Sequence, residues 1–253
     1  MQQSRQPHLN YPINYTSNIS TIPKMTRYNL IVENHSGANQ SYALVSAAPD
    51  VSNGGVKPKI WSTVSATAAA PQESTISFAI QNQFFGFVGS SQGKPEDAVT
   101  VGISVRRPVV LGQRAADGTA IPGTTLAVTI ASDINAPTFD DHDRPNSADA
   151  NSFAITTPIF DNQVAINNNW LIGVGGAGNG SNTPIAAFIP QPQVTYQIRP
   201  SNTYYLIPGR YDKNSIVDFN KVGNRVEIDF ARFPSGEVTV VHDQSGRLTI
   251  QRD

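Results

Sequence analysis

No cysteine occurs in the 253 residues. That excludes disulfides, zinc-thiolate centres, iron–sulfur clusters and thiol catalysis together. Charge is scarce as well. Asp, Glu, Lys and Arg make up 15% of the chain, against roughly 25% in an average soluble domain. Eighteen basic and 19 acidic side chains leave a net charge of -1, so there is no basic footprint for a nucleic-acid backbone. No apolar run approaches the ~20 residues of a membrane helix, and the first 24 residues hold no apolar stretch of a secretory signal. The expected location is therefore cytoplasmic, with neither nucleic acid nor membrane as a partner.

What replaces charge is Asn, Gln, Ser, Thr, Gly, Ala and Pro. Such a surface is polar through amides and hydroxyls, and it repels copies of itself weakly. Hydrophobic residues at 39% still suffice for a sizeable core. Residues 1–25 are rich in Gln, Asn, Ser, Thr, Tyr and Pro without periodicity, which predicts a disordered or loosely docked arm. Asn-x-Ser/Thr triplets at Asn14, Asn18, Asn34, Asn39 and Asn179 are what this composition yields by chance.

From Arg27 onward the chain reads as short β-branched and aromatic runs, punctuated by Gly, Pro and Asn. Runs include 28–33, 41–45, 74–80, 84–88, 99–105, 124–130, 152–155, 170–174, 185–189, 194–198, 204–207, 226–230, 238–242 and 247–250. Asp117-Gly118 and Asp243-Gln244-Ser245-Gly246 are hairpin signals. Helical signal is thin. Trp61–Ala70 carries four alanines and reads equally as a short helix or an Ala-rich loop, closed by Pro71. The predicted fold is all-β with little helix: a mostly antiparallel β-sandwich over residues 26–253, jelly-roll-like or built from two packed halves. The halves would be 26–132 and 151–253, joined by an Asp-rich loop at 133–150. Ser77-Phe78-Ala79-Ile80 recurring as Ser152-Phe153-Ala154-Ile155 hints at such a repeat.

Four constellations could carry chemistry. The loop at 133–150 offers Asp140, Asp141, Asp143 and Asp149, with Asp133 and His142 nearby. Hard oxygen ligands at close spacing suit calcium, although the EF-hand pattern is absent. Calcium is the sole cofactor this suggests. His242 beside Asp243 could orient an imidazole for base work, but reads more simply as a polar strand end. No G-x-S-x-G elbow is present. Gly173, Gly175 and Gly178 have dinucleotide-loop spacing, yet turn residues follow instead of a helix, so this stretch is read as strand and loop. Finally, Tyr196, Tyr204, Tyr205 and Tyr211 cluster in sequence near Arg199 and Arg210. With Trp170 they supply the rings, hydroxyls and guanidiniums that a sugar or polar-ligand pocket requires.

The combined reading is a non-enzymatic binding or interaction protein. It would recognise a neutral polar ligand such as a glycan, in lectin-like fashion, or a protein surface. Two alternatives share the composition: a self-assembling coat- or fibre-like protein that forms homo-oligomers, and an enzyme whose site is assembled from distant strands.

Overall fold

The computed structural model describes residues 27–251 apart from 54, 56, 132–135, 143 and 179–180. The expected arm over 1–25, the triplets at Asn14, Asn18 and Asn179, and the candidate ligands Asp133 and Asp143 lie outside the described residues.

In chain order the strands are β1 (Arg27–Asn34), β2 (Gln40–Ser46), β3 (Asp50–Ser52), β4 (Trp61–Ser62), β5 (Val64–Ala70), β6 (Ser74–Ser91), β7 (Val101–Val109), β8 (Gln113–Arg114), β9 (Ala120–Ile121) and β10 (Thr125–Ala131). They continue with β11 (Ala136–Phe139), β12 (Phe153–Thr156), β13 (Trp170–Gly178), β14 (Ser181–Phe188), β15 (Thr195–Arg199), β16 (Thr203–Pro208), β17 (Val226–Asp229), β18 (Glu237–His242) and β19 (Leu248–Ile250). Among the described residues they are interrupted by one α-helix, α1 (Asn162–Asn167), and by 3-10 turns at Pro95–Asp97 and Phe230–Arg232. The first turn of α1 is capped by the Asp161 side chain, which accepts from the Gln163 N–H at 2.8 Å.

The fold is all-β, with mostly antiparallel sheets packed on one another as a sandwich. An eight-stranded sheet runs β19-β18-β1-β6-β13-β14-β4, with β7 also paired to β6. A four-stranded sheet runs β17-β16-β2-β5, and a five-stranded sheet runs β11-β10-β12-β15-β3. The pairs β1–β18 and β10–β12 are parallel. All three sheets draw strands from both sides of residues 133–150.

The organising element is β6, a single strand of 18 residues. Its polar middle, Gln81-Asn82-Gln83, resembles a turn and splits it into two runs in the sequence. In the structure the strand changes partners there instead. Residues 74–81 pair with β1, and 84–91 pair with β7. On its other side, β13 follows it from Ser90 back to Ile80 through a bulge. Each end of β6 feeds its own core. Phe78 and Ile80 join Leu30, Val32 and Val240 against Tyr42, Leu44 and Leu206 of the four-stranded sheet. Phe85, Phe87, Leu171, Ile172 and Phe188 share the second core with Phe153, Ile155 and Ile198 of the five-stranded sheet. Burying each such side chain stabilises the fold by about 1.5–3 kcal/mol.

The period of two explains why β2 is buried on both faces from Tyr42 onward. Tyr42 and Leu44 point into the first core. Ala43 and Val45 point the other way, under Ile207, Val217, Tyr211 and Phe219.

Trp61–Ala70 is neither helix nor loop. It forms β4 and β5, and its alanines pair in register with Gln40–Leu44 of β2. Tertiary pairing overrides the weak helix preference of alanine, since no apolar stripe holds a helix in place there. The Ser77–Ile80 and Ser152–Ile155 segments are not equivalent: the first lies in the eight-stranded sheet, the second in the five-stranded one.

Candidate functional site

Two openings line the four-stranded sheet. One lies between it and the eight-stranded sheet, among Leu44, Ala66, Ile80, Gly176, Ile185 and Tyr204. It holds only about 20 Å³, room for a water rather than a metabolite. The other lies at the sheet's end and holds about 320 Å³, within the range of small-ligand clefts. Its lining is Asn39, Gln40 and Ser41 at the start of β2, Ala69, Ala70 and Pro71 at the end of β5, and Gly209 with Arg210 after β16.

The groove exists because three chain turns are tied together at this end. The buried amide of Asn34 donates to the carbonyls of Ala38 at 2.8 Å, Ala70 at 3.0 Å and Pro71 at 2.9 Å. The Glu73 N–H donates back to the Asn34 carbonyl at 2.8 Å. The Gln72 N–H donates to the side-chain oxygen of Asn39 at 3.0 Å. These bonds lace the β1–β2 turn to the β5–β6 turn. The third wall is Gly209, whose φ of +131° turns the chain away from β16, a conformation other residues rarely adopt. Its N–H donates to the Ser41 carbonyl at 2.8 Å. The Tyr211 ring packs directly beneath it, 3.1 Å from where a Cβ would stand.

On the outer side of the laced turns, the exposed His35 donates through Nδ1 to Glu73 at 2.5 Å, with Glu33 3.6 Å from Nε2. The hydrogen bond to Glu73 raises its pKa above the ordinary histidine value.

The residues marked in the sequence are dispersed. Arg210 lines the groove and Tyr211 supports it. Tyr205 is half-buried on the outer face of the sheet, against Phe219 at 5.0 Å and under the Arg225 guanidinium at 5.8 Å. Tyr204, one position along, faces the first core and meets Phe230. Burial pushes its hydroxyl pKa up. Tyr196 lies fully buried in the second core, packed on Phe188, and its hydroxyl accepts the Gln191 N–H at 2.8 Å. Trp170 is buried edge-on to Phe160. Arg199 is exposed at the end of β15, in register with Asp50 of β3. Neighbours in sequence thus part company because alternate strand residues serve opposite faces. Asn39 and Gln40, which fall between two strand runs in the sequence, and Ser41, which opens the second run, are the groove's main polar lining. Their signal was local polarity alone, which cannot report the distant β5 and β16 termini.

In the Asp-rich loop Asp140 and Asp141 are engaged by neighbouring side chains. Asp140 accepts from the His142 Nδ1 at 2.7 Å and from Arg144 at 2.9 Å. The His142 hydrogen bonds hold its pKa well below the usual carboxylate range, with Arg144 adding to the effect. Asp141 pairs with Arg107 at 2.5 Å. The Asp149 N–H donates to Gln197 at 3.0 Å. Among the described residues no group of three potential metal ligands converges.

His242 is buried, and its Nδ1 is hydrogen-bonded to the Tyr42 hydroxyl at 2.8 Å, not to Asp243. Asp243 instead accepts from Ser245 and Arg247 within the β18–β19 turn. Burial lowers the His242 pKa and pushes that of Tyr42 up to about 12. The pair pins two sheets together.

The glycine-rich run is the body of β13, hydrogen-bonded on both sides by β6 and β14. Its glycines make room for rings. A Cβ at Gly175 would stand 2.1 Å from the Phe85 ring. No helix among the described residues is long and apolar enough to cross a membrane.

Residues 25–253 match the family model described as RhiA. No curated relative and no solved structure matches the chain.

Proposed function

This chain belongs to the RhiA family, and from the groove at its four-stranded sheet we propose that it is a non-enzymatic binding protein for a polar, hydroxyl-bearing ligand such as a short glycan. The observation that carries this reading is the makeup of the 320 Å³ groove. Asn39, Gln40, Ser41 and Arg210 offer hydrogen-bonding groups on one side, and Ala69, Ala70 and Pro71 a low apolar wall on the other. That combination suits a sugar, which presents hydroxyls at its rim and C–H groups on its faces. Among the described lining residues Arg210 is the sole titratable side chain, so proton transfer has no acid–base pair to use there.

The test is retention on immobilised glycans, compared between the natural chain and Ala69→Arg. An arginine at that position fills the groove without entering either core. Retention that Ala69→Arg abolishes supports the reading; no retention of any glycan by the natural chain overturns it.

A second reading, self-association, is favoured by β5. β5 is an edge strand with no charge and no proline, covered only at Val64 by hydrogen bonds to Asn214 and Ser215. Edges of that kind lack the usual protection against pairing with another copy. Sedimentation across a hundredfold concentration range tests it, a constant monomer mass being the refuting result.

A further inference from the structure

We infer that the groove selects a ligand carrying one carboxylate, a uronic-acid saccharide rather than a neutral one. This inference rests on the groove being a ligand site and concerns what the site prefers. Three features of the lining point to it.

The first is the direction of Asn39. A backbone N–H can only donate, and the Gln72 N–H donates to the Asn39 Oδ1. The amide NH₂ of Asn39 is therefore the end left for a ligand, and it is a donor. The second is Arg210. It is exposed at the groove, and its planar guanidinium presents five donors and no acceptor. The third is the lack of competition, since no carboxylate lines the groove among the described residues. Two acceptors at the groove are already engaged, while the side chains of Gln40 and Ser41 each bring a donor and an acceptor and so do not discriminate. Asn39 Oδ1 takes Gln72, and the Ser41 carbonyl takes the Gly209 N–H.

A lining whose one charge is a guanidinium gains most from an anionic group, because a neutral sugar's hydroxyls can accept its hydrogen bonds but bring no charge to meet it. A carboxylate brings acceptors only, and its two oxygens match a guanidinium side by side. The single cation also decides between anions. One guanidinium balances one negative charge, whereas a phosphate monoester carries about -1.5 to -2 at neutral pH.

The experiment measures binding of three probes by titration calorimetry at low ionic strength: digalacturonate, the matching neutral disaccharide, and glucose 6-phosphate. The protein is the full chain, as the natural sequence and as Arg210→Gln. Arg210 is exposed, so the variant's melting midpoint serves as a check that it folds as the natural chain does. We expect the uronate to bind at least about tenfold more tightly than the neutral sugar, from the extra worth of a charge-assisted hydrogen bond. Arg210→Gln should remove that preference, so that the variant binds the acid and the neutral sugar equally within about threefold. Equal binding of acid and neutral sugars, or a uronate preference that survives in Arg210→Gln, overturns the carboxylate assignment and leaves the groove reading standing. Tightest binding by the phosphate likewise overturns it in favour of a dianion. Failure of all three probes to bind refutes the groove reading and this inference together.

Discussion

Replacing Gly175 with alanine tests the packing logic of the second core. Gly175 lies in β13 between β6 and β14. A Cβ built there would fall 2.1 Å and 2.2 Å from two atoms of the Phe85 ring and 2.7 Å from the Thr183 carbonyl oxygen. The ring is held among the second core's side chains, and the carbonyl belongs to β14, so neither yields cheaply. Inserting a methyl into a well-packed core costs about 1–3 kcal/mol, and two separate obstructions place this site at the upper end. Gly175 has no positive φ, so alanine also gains about 0.4–1 kcal/mol by restricting the unfolded chain. The net expectation is a loss of about 2 kcal/mol. In a domain of this length that lowers the melting midpoint by about 4–8 °C. The assay is urea or thermal unfolding by circular dichroism, with Gly223→Ala as control, since nothing stands within 4 Å of a Cβ there. In a Phe85→Leu background the same substitution should cost at least ~0.5 kcal/mol less, because the two residues touch. A Gly175→Ala protein within about 0.5 kcal/mol of the natural one, the range of a neutral surface change, refutes the reasoning.

The remaining predictions concern buried polar ties. Tyr42→Phe leaves the Nδ1 of buried His242 without its hydroxyl partner and should cost about 1–3 kcal/mol, read as a shift in urea midpoint at unchanged m-value. Because burial depresses the His242 pKa, the unfolded chain binds that proton more readily than the folded one. Its stabilising share is full above the ordinary histidine value near 6.5 and is lost as pH falls through the lower folded value. Denaturation midpoints should therefore drop as pH falls below about 6.5. His35 has a raised pKa and runs the other way, so His35→Gln should steepen that drop; a flat profile in the variant counts against the assignment. Asn34→Ala strips the donor from three carbonyls at the groove's end and should cost about 2 kcal/mol or more. Faster amide hydrogen exchange at Gln72 and Glu73 should accompany it, and unchanged exchange there would show that the lacing does not depend on Asn34.

Much of the architecture is legible in the residues because it is local. The Asp117-Gly118 and Asp243–Gly246 signals do form turns, joining β8 to β9 and β18 to β19. Most runs of β-branched and aromatic residues are strands, since a period of two with one buried face leaves few other conformations open. The glycine-rich run is a strand for the reason that no helix follows it. Long-range partnership was invisible in the same residues. Gln81-Asn82-Gln83 separates two strand runs in the sequence, yet β6 continues through it because β13 supports both sides of the break. The alanines of Trp61–Ala70 form a strand because β2 lies beside them.

The candidate site shows the same division. Composition alone marks this protein as cysteine-free, low in charge and rich in amide and hydroxyl groups, and the strand pattern alone makes it all-β. Which tyrosines are core and which support a surface depends on strand register, because a shift of one residue exchanges the faces. Arg210 meets Asn39 and Ala69 only after β2, β5 and β16 are aligned in one sheet. No local property of the three segments records that meeting; the hydrogen-bonded register that brings their ends together is a property of the folded chain.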